Sequence, residues 1–151
     1  MLTVAPLLCL IGVSGYGLFI SYSNITRLQK YEERSERAAE WSNTAAERLQ
    51  KTRTTQGAAA ITVLLSLLTS MTLLVLSHAE HHQIVLAISL INTAICFGAR
   101  IHMANFWKEK VQLPFMEAYN EAIRGSNQSV SVLTMLGWGW VVTGLIGWLA
   151  G

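Results

Sequence analysis

Charge is the scarcest thing in this sequence. Only 13% of its 151 residues are Asp, Glu, Lys or Arg, about half the ~25% of a soluble domain. No Lys or Arg precedes the first long apolar stretch, none follows the last, and none occurs in His78–Gln83. No carboxylate falls within any of the apolar stretches, which argues against a proton relay across a membrane. Cysteine is scarce too. Cys9 and Cys96 both lie in apolar stretches and read as small buried residues rather than a disulfide framework. Gly-rich phosphate loops and paired metal-spaced cysteines are missing. The basic segment Arg27–Arg53 carries five Glu, so no continuous basic stripe is left and a nucleic-acid partner is excluded. Met1–Pro6 has no basic residue, so the first stretch reads as a retained span rather than a signal peptide.

What the chain has is apolar length. Val4–Tyr22, Gly57–Ser77, Ile84–Phe106 and Val130–Ala150 each approach the ~20 residues a helix needs to cross a ~30 Å hydrocarbon core. The expected fold is all-α: an integral membrane bundle of four transmembrane helices in a single polytopic domain, 1–151. The lipid bilayer is the first partner. Seven basic residues fall in loop 23–56 and three in loop 107–129, with Arg100 at the adjoining end of the third stretch. The positive-inside rule then puts both loops in the cytoplasm and both termini on the lumenal or extracytoplasmic side.

Both loops are expected to be helical. No Pro or Gly interrupts Asn24 to Gln56, and Glu33–Arg37 and Glu47–Lys51 are i,i+4 acid-to-base pairs. Thr44 and Glu47 form a capping box, so a turn near Ser42–Thr44 should join two helices in a cytoplasmic hairpin. Trp41, beside that turn, suits partner contact. In the second loop Pro114 suits a first helical turn. Apolar Phe115, Met116, Tyr119 and Ile123 alternate with polar residues as far as Gly125, a natural helix stop. This predicts a short interfacial amphipathic helix. The sequons at Asn24 and Asn127 stay bare in the cytoplasm.

Span four carries a row of small residues, with Gly139, Thr143 and Gly147 as its centre and Ser131 and Met135 in line. Such a ridge lets another helix approach closely, where lipid provides no hydrophobic drive for association. Other transmembrane helices, or a second copy of the chain, are the expected partners. Trp138 and Trp140 fall near mid-membrane, where the indole N–H needs an acceptor. Ser66, Thr69, Ser70 and Asn92 are candidates.

Two groups could carry chemistry. On a helix, His78, His81 and His82 share one face and could ligate a divalent metal with Glu80 or water. Ser77 and Glu80 equally form a capping box for span three. Arg100 and His102 are the catalytic candidates, since an ionisable group inside a span is costly and functional by default. Arg100 also lies close enough to the headgroups to snorkel, and the two side chains point to different faces.

With four spans and a basic first loop, the segment Gly98-Ala99-Arg100-Ile101-His102 resembles the membrane-associated family of eicosanoid and glutathione metabolism. The resemblance implies that the arginine segment helps bind glutathione between subunits of a trimer. The chain departs from the family's R-x-x-x-N-x-x-E pattern, counted from Arg53, at Gly57 and Ala60. The residues themselves specify no cofactor. The expected function is an accessory or assembly subunit acting through helix packing. The alternatives are a membrane-embedded enzyme acting on a lipophilic small molecule, and a homo-oligomeric channel lined by the Ser and Thr of span two.

Overall fold

The computed structural model describes residues 2–39, 43–76, 82–108 and 117–149, with side chains at all of these except 28, 30–39, 43–49, 117–119 and 122. They form α1 (Val4–Ala39), α2 (Asn43–Leu76), α3 (His82–Trp107) and α4 (Glu117–Leu149). The apolar runs are long and the β-branched residues scattered, so helix is the way to satisfy every backbone polar group in lipid. All four helices contain a segment able to cross a membrane: Val4–Arg27, Gln50–Leu76, His82–Trp107 and Ile123–Leu149. The chain is an all-α four-helix bundle and a multi-pass integral membrane protein.

The helices alternate in direction around a ring. α1 packs on α2 and α4, α3 packs on α4 and more thinly on α2, and α2 approaches α4 across the diagonal. Leu7, Leu10, Val63, Leu73, Met103, Leu133 and Leu136 fill the interior together with small polar residues. Phe19, Leu68, Val75, Trp138 and Trp148 face outward, as expected where lipid and not water is the surrounding solvent. Cys96 is buried as expected, whereas Cys9 is exposed on the outer surface.

One join differs from expectation. Gly125 does not end a separate interfacial helix, because α4 runs unbroken from Glu117 through Gly125 into the span. A glycine stops a helix when nothing rewards its continuation. Here Gly125 lies buried against Asn24 of α1, so the close approach offsets the ~1 kcal/mol that an interior glycine costs. The amphipathic stretch past Glu117 is the first turns of α4, and Pro114 to Met116 lie outside the described residues. In the first loop, α1 reaches Ala39 and α2 starts at Asn43, so Asn43 and Thr44 of the expected turn are helical, while Trp41 and Ser42 lie outside the described residues.

Candidate functional site

The bundle is locked by two sets of polar contacts. One closes the end that carries the charged loops. The Asn24 amide on α1 donates to the Gly125 carbonyl at 2.9 Å and to the Ser129 hydroxyl at 3.1 Å. From α2, the Gln56 amide donates to Ser126 Oγ at 2.8 Å. All four side chains are buried. A Cβ on Gly125 would run into the Asn24 carboxamide, so this cross-link requires glycine at that position. Seven and fourteen residues along, Gly17 meets Val132 and Leu10 meets Gly139. That repeat is the heptad geometry of a left-handed helix pair.

The second set lies in the middle of the bundle. Trp140 is fully buried, and its Nε1 donates to Ser66 Oγ at 2.9 Å. Ser14 Oγ donates to the same oxygen at 3.2 Å. Three helices therefore meet at one hydroxyl, and it is one of the acceptors expected for a mid-membrane indole. Thr69 Oγ1 approaches Asn92 Oδ1 at 3.2 Å, joining α2 to α3. Ser89 Oγ and Trp107 Nε1 are buried without a hydrogen-bond partner.

Arg100 is half-buried, and its Nε donates to Thr134 Oγ1 on α4 at 2.9 Å. The Thr134 hydroxyl in turn donates to the Val130 carbonyl at 2.8 Å. Arg100 is held across a helix interface. His102 is exposed and faces the other way, into an open groove of about 560 Å³ shared with Gln50, Lys51, Thr54 and Thr55 of α2. Asn105 and Phe106 complete that groove. The structure thus separates the two catalytic candidates.

Of the histidine turn, His78 and His81 lie outside the described residues. His82 opens α3 and is half-buried. Among the described residues no three His, Cys, Asp or Glu side chains come together to hold a metal. In the small-residue row of α4, Gly139 faces Leu10 of α1 and Gly147 faces Val85 of α3. Thr143 is buried, its hydroxyl donating to the Gly139 carbonyl at 2.8 Å. Ser131 and Met135, in the same row, are exposed.

No family model, curated protein or solved structure matches this chain. Its chemistry must be read from the geometry. Every buried polar side chain in the described bundle is uncharged, being Ser, Thr, Asn, Gln or Trp. Such an interior can hold helices in register through hydrogen bonds between them. Two ionisable side chains, His102 and Lys51, stand together in the groove at the charged end. Sequence reasoning missed Asn24 and Gln56 as cross-links. Their signal was a carboxamide at the end of each span, spaced by seven from Gly17 in the case of Asn24.

Proposed function

We propose that this small membrane protein acts as an accessory or assembly subunit, making its working contacts through helices. The observation that carries the reading is that α1 runs on from Arg27 to Ala39, and α2 starts at Asn43, ahead of Gln50. Both helices extend beyond the segments able to cross a membrane, α1 by about 18 Å at 1.5 Å per residue. Seven basic residues and five Glu fall in that first loop, which suits contact with a partner outside the bilayer. The uncharged interior supports the same reading. Both charged loops belong in the cytoplasm by the positive-inside rule.

Purification of the full chain in mild detergent, followed by native mass spectrometry, tests this. A second protein in fixed stoichiometry is expected, released by Trp41→Ala without loss of the bundle's thermal stability. A homo-oligomer carrying only a small lipophile or a metal would move the reading to a membrane-embedded enzyme. The groove that contains His102 favours that second reading, for which His102→Ala should abolish turnover of a lipophilic substrate. For the channel reading, Thr62, Ser66 and Ser70 of span two are buried within the single chain and Thr72 faces outward; ion flux through the purified protein in liposomes is its test.

A further inference from the structure

We propose that the groove between α2 and α3 holds the phosphate of an anionic phospholipid headgroup. The groove lies at the right depth. The membrane-crossing part of α2 begins at Gln50 and that of α3 ends at Trp107, so Gln50, Lys51, His102 and Asn105 sit where a span meets the headgroup layer. The packing leaves room for a headgroup. α2 and α3 make the thinnest contact of any adjacent pair in the ring, and they part at this end to leave about 560 Å³.

The lining suits an anion. The Thr54 and Thr55 hydroxyls donate to the carbonyls of Gln50 and Thr52, each at 2.9 Å, and so present only acceptor lone pairs. The donors that remain are the Gln50 and Asn105 carboxamides, the Lys51 ammonium and the His102 ring N–H. No lining residue is acidic. Lys51 makes a further interaction of its own, and it serves the groove through its fixed positive charge. Basic pockets between transmembrane helices near the surface recognise anionic headgroups in this way. A lipid, rather than a soluble phosphate, fits because Ile101 and Ile61 on the same two helices are exposed and offer acyl chains an apolar path.

The test uses the full chain in mild detergent, mixed with equal amounts of phosphatidylglycerol and phosphatidylcholine and read by native mass spectrometry. Wild type should retain phosphatidylglycerol in preference. Lys51→Gln should weaken retention about fivefold, corresponding to the ~1 kcal/mol that one basic residue contributes near a charged surface. Lys51→Arg should restore it, and His102→Gln should weaken it as well. Lys51 and His102 are exposed, so circular dichroism should show both variants folded. Arg27→Gln removes an exposed cation at the same end on α1 and should leave retention unchanged. Equal retention of the two lipids, or equal loss in Arg27→Gln and Lys51→Gln, would overturn the proposal. Displacement of phosphatidylglycerol by an equal concentration of inorganic phosphate would overturn the lipid as the source.

Discussion

The α1–α4 seam and the α2–α3 seam are built from similar material and behave differently. Both pair apolar helices of similar length, and each has glycine on both sides. On α1 and α4, Gly17, Gly125 and Gly139 each face a side chain of the opposite helix close enough that a Cβ would have to displace it. On α2 and α3, Gly57 and Gly98 have nothing within 4 Å. The first seam closes along its length and ends in the Asn24 cross-link. The second is joined by Thr69 and Asn92 in mid-bundle and opens into a groove at the charged end. Glycine content does not make a tight interface; glycine in register with a bulky partner does.

Substitutions can break or sharpen this contrast, read as unfolding free energies in detergent. Trp140→Ala should be the most damaging, at about 3 kcal/mol or more, because it leaves a large cavity beside Ser66 and Ser14. Gly17→Leu and Gly139→Leu should each cost about 1–3 kcal/mol by forcing α1 from α4. A stable Gly139→Leu variant that instead loses a partner would return that residue to an outward role. Asn24→Ala should cost roughly 1 kcal/mol, the scale of hydrogen bonds between membrane helices, and should loosen the charged end as read by hydrogen exchange. Gly98→Ala and Gly57→Ala should be neutral or stabilising by up to about 1 kcal/mol, since alanine is the better helix former. A destabilised Gly98→Ala would show that α3 uses its glycine after all.

The four spans were legible because an uncharged apolar run of about 20 residues is the mark of a helix that crosses lipid. Their boundaries moved mainly at the charged end, where α1, α2 and α4 run on through polar residues. The indole partner was legible as a short set of mid-membrane hydroxyls, and Ser66 is a member. Which way the small row of α4 faces was not legible. In a membrane both the interior and the lipid side are apolar, so periodicity finds the ridge but not its direction, and Gly139 and Gly147 turned out to face α1 and α3. Gly125 misled for a related reason. A glycine after an amphipathic run looks like a stop unless the Asn24 that packs on it, far away in sequence, is known. Arg100 and His102 stand two positions apart, which was enough to put them on different faces, but the Thr134 acceptor and the groove needed the fold.

Asn24 has a consequence for how the chain is made. Its Nδ2 is the atom to which a glycan would be joined at the sequon Asn24-Ile25-Thr26. In the folded bundle that nitrogen is buried and already donates to Gly125 and Ser129. Glycosylation and closure of the helix seam therefore compete for one nitrogen: a sugar there would wedge α1 away from α4, and a closed seam shuts out the transferase. Asn127, the other sequon, has a side chain that no neighbouring helix covers, so its amide carries no such conflict.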